Sequence, residues 1–184
     1  AVAAKTPSLT IAGLFLSDAV ADYQDRKLAV SAGSGRTKRF EVGDTVFENL
    51  LARNLKLSTG NGGFRMTSPT ARSDSFKTKD YALNGVTGSN VEVKHVKGRT
   101  DVTAKRLASE TGRIKGARLK NVAADDFQFT DLPRSTNLSM RNLKAGNVDM
   151  NGVSIAGVEA PQLNIDDNGA ETIIYSDNAR VAKI

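Results

Sequence analysis

The chain returns repeatedly to one short unit: a small residue, two polar residues, then an apolar residue that opens an alternation of apolar and polar positions. It reads LARNLKL at 51–57, TGSNVEV at 87–93, TAKRLAS at 103–109, AADDFQF at 123–129, KAGNVDM at 144–150 and EAPQLNI at 159–165. Within these units NLKL, NVEV, FQF, NVDM and LNI alternate with period two, which sends every second side chain to one face of an extended strand. With Ala52, Ala71, Gly88, Ala104, Ala124, Ala145 and Ala160 as markers, the steps are 19, 17, 16, 20, 21 and 15 residues, and Asn178 closes the series. A spacing of about 18 residues suits one strand-rich unit per repeat. The expected fold is all-β, a repeat-built β-stack in a single domain 1–184, with 1–46 as N-terminal cap strands and 47–184 as the repeat stack.

Two architectures accept this pattern: a parallel β-solenoid and an open twisted antiparallel β-jelly roll. Asn-Gly pairs at 61–62, 84–85, 151–152 and 168–169 are expected turns, because both residues tolerate positive φ, and they favour hairpins. The small-residue markers favour the coil of a solenoid. Pro69, Pro133 and Pro161 are expected between or at the ends of strands, where a missing N–H costs little. Residues 47–57 and 101–116 contain good helix formers, yet both carry the recurring unit and read as strands. The first forty residues read as two strands around a polar turn at DYQDRK (22–27), and STGNGG (58–63) reads as a flexible loop.

Only 5% of residues are aromatic and there is no Trp, which suits a thin core of small residues. Cysteine is absent, so disulfides and Cys-ligated zinc are excluded. No window approaches the apolar length of a membrane-spanning helix. The N-terminal AVAAKTPSL has small residues without an apolar segment of its own, as in a mature product or a piece of a longer protein. The composition points to the bacterial periplasm or cell surface.

The formal charge of +6 is local. Residues 94–120 hold nine basic side chains against Asp101 and Glu110, whereas the rest of the chain holds 17 basic and 18 acidic residues. Those nine, Lys94, Lys97, Arg99, Lys105, Arg106, Arg113, Lys115, Arg118 and Lys120, are the candidate ligand-binding residues. Residues two apart in a strand share a face, so Arg113 with Lys115, and Lys97 with Arg99, are expected to form a positive ladder. Its partners would be anionic lipid head groups, acidic polysaccharide or an acidic protein surface. Nucleic acid is not expected, because no aromatic residue lies in 94–120 to stack on bases. The plainer role for these charges is to keep strand edges soluble.

Signs of catalysis are weak. Asp18, Asp22, Asp25 and the pairs Asp125/Asp126 and Asp166/Asp167 could serve glycoside cleavage on a β-helix, but neighbours in a strand point to opposite faces and cannot form the acid pair together. His95 is the only histidine, and an exposed strand position is expected for it. AGSGRTKR (32–39) lacks the spacing of a nucleotide-binding loop and reads as a hairpin turn. NLS at 137–139 is a glycosylation sequon in spelling alone. The expectation is a protein that is not an enzyme, with no catalytic residues, no cofactor and no metal.

The stretch 67–116 resembles the periplasmic lipopolysaccharide-transport bridge proteins, the OstA/LptC-like group. The likeness is carried by Ala71 and Ser73, by Leu83-Asn84-Gly85-Val86, by Thr103-Ala104-Lys105-Arg106-Leu107 and by Gly112-Arg113-Ile114-Lys115-Gly116, with 11–32 similar to their opening strands. The resemblance implies an open, twisted antiparallel stack that carries lipid acyl chains in a groove and joins partners edge to edge. The expected function is a non-enzymatic envelope scaffold or binding protein that bridges or docks amphipathic lipid. The alternatives are an adhesin-like or assembly solenoid and, third, a carbohydrate-active β-helix enzyme.

Overall fold

A computed structural model describes residues 2–6, 9–60 and 62–182, and nearly all of them lie in strands. The strands are β1 (Val2–Thr6), β2 (Leu9–Ser17), β3 (Val20–Gln24), β4 (Lys27–Val42), β5 (Thr45–Gly60), β6 (Gly63–Lys77), β7 (Tyr81–Val96), β8 (Arg99–Ile114), β9 (Ala117–Leu132), β10 (Ser135–Met150), β11 (Val153–Asp167) and β12 (Thr172–Asp177). They form one antiparallel sheet in the order β1-β2-β4-β5-β6-β7-β8-β9-β10-β11-β12, with β3 continuing the line of β2 against β4. The parallel solenoid is thereby corrected. Two-residue turns fold the chain back after most of the long strands, and a parallel coil cannot be closed by so short a link.

These turns explain part of the charge pattern. Asp25-Arg26, Lys97-Gly98, Lys115-Gly116 and Asn151-Gly152 all have positive φ at both positions, as the tight hairpin turn that matches strand twist requires. The expected loop at 58–63 is instead the end of β5, a tight turn and the start of β6; Asn61 lies outside the described residues. Asn84-Gly85 is no turn either, but lies inside β7.

The long strands bend, because inward and outward alternation is interrupted along them. In β8, Thr100, Val102 and Ala104 are buried, Lys105 and Arg106 are both exposed, Leu107 and Ser109 are buried, Glu110 and Thr111 are both exposed, and Gly112 and Ile114 are buried. Two successive outward residues turn the strand around its own core, giving in β8 a second arm (100–104), a short base (105–110) and a first arm (111–114). Across the sheet the first arm is built from the starts of β5, β7 and β9 and the ends of β6 and β8, and the second arm from their opposite ends. On β5, β7 and β9 the corners carry left-handed backbone: Asn49 and Asn54, Gly85 and Asn90, Asn121 and Asp126. Asn, Asp and Gly are the residues that adopt this conformation at low cost.

A buried hydroxyl on the adjoining strand completes the corner. Ser73 Oγ donates to Glu48 O (2.6 Å), Ser68 Oγ to Arg53 O (2.7 Å), Ser109 Oγ to Asn84 O (2.8 Å) and Thr37 Oγ1 to Ala12 O (2.7 Å). Every acceptor is the carbonyl just before a left-handed residue: Asn49, Asn54, Gly85 and Gly13. The bend takes that carbonyl out of the regular ladder, and the hydroxyl keeps it satisfied inside the protein.

The arms fold onto each other. Phe76 of the first arm packs on Phe127 and Phe129 of the second, with ring centroids 6.3 and 5.5 Å away, and Phe40 packs on Phe64 at 5.5 Å. Partners across the core sit two to four strands further along the sheet, since Val42 of β4 meets Thr100 of β8. The base is thin and its inward row is made mostly of small residues: Gly35 pairs with Ala52, Ala52 with Ala71, Ala71 with Gly88 and Gly88 with Leu107. A Cβ on Gly35 would lie 2.4 Å from Leu55 Cδ2, so the site has no room for one unless Leu55 moves.

Two substitutions test the corners. Ser109→Ala should lower unfolding free energy by about 1–3 kcal/mol by stranding a buried carbonyl, as read by urea denaturation. Asn90→Val should cost about 1–2 kcal/mol because a β-branched residue is strained at the φ of 48°, whereas Asn90→Gly should leave stability nearly unchanged.

Candidate functional site

The bends break up the basic stretch read from the sequence. Lys94, Lys97 and Arg99 lie on or beyond the second arm, Lys105 and Arg106 at a corner, and Arg113, Lys115, Arg118 and Lys120 on or beyond the first arm. No continuous ladder forms. Arg113 faces Arg118 directly across β8 and β9, while Lys97 and Lys115 occupy turns. Several of the charges are neutralised locally: Lys105 pairs with Asp126 (2.7 Å) and Arg99 with Asp101 (2.9 Å). Lys115 pairs with Asp80 at 3.1 Å and with Asp167, bridging the ends of the two arms.

The open side, where the arm tips meet, is a polar seam. The inward row at the tip of the second arm is Phe64, His95, Thr100, Asp131, Thr136 and Asp167. His95 is buried, which corrects the exposed position expected for it; its Nδ1 lies 2.9 Å from Thr100 Oγ1, and burial lowers its pKa. Gly43 closes against this pair with φ of 56°, and a Cβ there would sit 2.8 Å from Thr100 Oγ1. The side-chain hydrogen bond from Lys115, with a second from the Gly169 N–H, holds the buried Asp167 carboxyl below its ordinary range. Burial first, and then the neighbouring Asp44, push Asp131 up to about 6.

Asp125 and Asp126 both face outward, because the left-handed residue Asp126 forms a corner, and each is engaged by basic or amide side chains. Among the described residues no three His, Asp or Glu side chains gather as a metal-binding set.

A groove of about 870 Å³ lies on the outer face of the base. One wall is the row Leu51, Arg72, Thr87, Ala108, Ala123 and Lys144; the other runs through Arg53, Thr70, Ser89, Arg106 and Asp125. Between them the inward row leaves a floor of Ala71, Gly88, Leu107 and Ala124 backbone. Arg106 is the one sequence-predicted binding residue in this groove; Arg53, Arg72 and Lys144 come from other strands. By contrast the cavities between the arms measure about 40 and 20 Å³.

Comparison with protein-family models, with curated proteins and with solved structures gave no match.

The Asp131 environment has a sign that can be measured. A carboxyl raised from 3.8 to about 6 in the folded state favours the protonated form there, so stability is greatest below its ordinary pKa and falls as pH rises from about 4 to 6. Asp131→Asn should abolish that loss and stabilise the protein at pH 7 on the order of 1 kcal/mol, allowing for solvent screening. Urea denaturation at pH 4 and pH 7 checks both parts.

Proposed function

We propose that this chain is a non-enzymatic scaffold of the bacterial envelope, a β-stack whose two ends dock head to tail onto another copy of the same stack. The observation that carries this reading is the stagger between the arms. Because each strand's first arm packs against the second arm of a later strand, the N-terminal end has second-arm strands, and the C-terminal end first-arm strands, with no cover among the described residues. Large apolar residues at these places are exposed: Tyr23 (71%) and Leu28 at one end, Met150 and Val153 at the other. Each uncovered half-layer is the counterpart of the layer missing at the opposite end. Such a contact is heterologous and extends into a line of copies.

The packed interior supports a scaffold over a carrier of acyl chains, since the two cavities described between the arms, about 40 and 20 Å³, fall far below the few hundred Å³ of an ordinary ligand pocket. The envelope setting rests on composition and on the resemblance to the OstA/LptC-like group. In that setting the stack would span distance, and its outward side chains would do the binding.

Sedimentation velocity should show association that rises with concentration. Tyr23→Glu with Leu28→Glu should block one end, and Met150→Glu with Val153→Glu the other, each abolishing self-association. Mixing the two variants should give only one-to-one dimers, because each retains one working end. A wild-type chain that stays monomeric, or variants that fail to form mixed dimers, would refute the reading.

A further inference from the structure

We propose that the groove on the outer face of the base is a binding site for a linear acidic polysaccharide, with its carboxylates held by Arg53, Arg72, Arg106 and Lys144. This inference is independent of how the two ends of the stack are used. The groove crosses the strands from Leu51 and Arg53 on β5 to Asn142 and Lys144 on β10. At about 4.8 Å per inter-strand step it is about 24 Å long, a length that admits several sugar units.

The charge in the groove is one-sided. Asp125 is the single acid in its lining, against four cations, of which Lys144 at the β10 end pairs with Glu159 (3.0 Å). Arg53 and Arg72 stand on opposite walls of neighbouring strands, where 53 pairs with Thr70 and Leu51 with 72, and neither has an acidic partner within 4.0 Å among the described residues. Arg106 is 82% exposed and only loosely held, 3.9 Å from Asp125. Two free guanidinium groups facing across a narrow channel suit planar carboxylates, which accept paired N–H donors.

The remaining lining selects among anions. Thr70, Thr87, Ser89 and Asn142 offer neutral donors and acceptors at intervals along both walls, which match sugar hydroxyls. The groove has no aromatic residue to stack on a base, so a nucleic acid strand would be held by phosphate contacts alone. The floor backbone at Ala71, Gly88 and Leu107 is already paired in the ladders on both sides, so an acidic peptide has no sheet edge to extend there. Ala and Gly along the floor let a flat ribbon approach closely.

The test uses the full chain and isothermal titration with hexagalacturonate, with maltohexaose, polyphosphate and an oligothymidylate as comparators. Hexagalacturonate should bind and weaken steeply with salt, maltohexaose should give no heat, and the other two should bind more weakly than the uronate. Arg53→Gln with Arg72→Gln should weaken hexagalacturonate binding roughly tenfold or more, whereas Arg113→Gln with Arg118→Gln, on the first arm, should change it less than about twofold. No binding of hexagalacturonate, equal loss in both double variants, or tighter binding of polyphosphate or oligothymidylate would overturn the proposal. Sedimentation of the same samples separates this outcome from the fate of end-to-end docking.

Discussion

The architecture depends on the bends of its long strands, and four of the corners depend on satisfying the carbonyl that the bend displaces. A strand of sixteen residues can wrap its own core only if it bends, and each bend throws a backbone acceptor out of the ladder on the buried side. Left-handed Asn or Gly makes the bend, and a Ser or Thr hydroxyl from the next strand pairs the stranded carbonyl. From β2 to β8 labour is divided accordingly: β2, β5 and β7 bend by backbone conformation and β4, β6 and β8 supply the hydroxyl, whereas the neighbours β9 and β10 both carry left-handed corners, at Asn121, Asp126 and Asn142. Without the bends the sheet would have no interior for Phe76, Phe127 and Phe129 to fill.

Polar closure at the open side completes the design. The tips of the arms meet through His95, Thr100, Lys115 and Asp167, groups that hydrogen-bond or form ion pairs with one another. Asp131, a carboxyl beside Asp44 that folding drives towards the neutral form, is one exception, and the buried hydroxyls of Thr45 and Tyr81, which have no hydrogen-bond partner among the described residues, are others. The seam can therefore open to solvent more readily than the hydrocarbon layer behind it, which is held by buried Phe, Leu, Val and Met. Stability in this fold is layered from base to tip.

Much of the all-β character is legible in the alternation of NLKL, NVEV and FQF, while the small-residue markers, taken one by one, point to the solenoid that the antiparallel sheet overturns. A parallel coil requires equal steps between markers, whereas the marker steps of 19 and 17, 16 and 20, and 21 and 15 are unequal but pair to a constant 36. That is the mark of a meander, in which a row off the strand centre is met alternately sooner and later. The paired rows bear this out through Ala52, Gly88, Ala124 and Ala160, and the true intermediates are Leu107 and Leu143 rather than Ala104 and Ala145. The Lys-Gly turns are harder to see, because a search for Asn-Gly alone passes over them. His95 is misplaced by its local pattern because its hydroxyl partner, Thr100, lies across a turn. Most of the groove cations stay hidden for a related reason: Arg72 and Lys144, with Arg36 in the same row, recur at multiples of 36, a spacing invisible to a search for charge along a single run.

The register has a consequence for how such a chain can change in length. Through the long strands each ladder advances the pairing by one fixed interval, so residue 52 stands two strands from 88 and four from 124. Gain or loss of one hairpin of 36 residues would keep the ladders on either side in register, while core partners two to four strands apart would change. A single-residue deletion would instead turn one strand's interior outward. The fixed register thus admits changes of length only in whole hairpins.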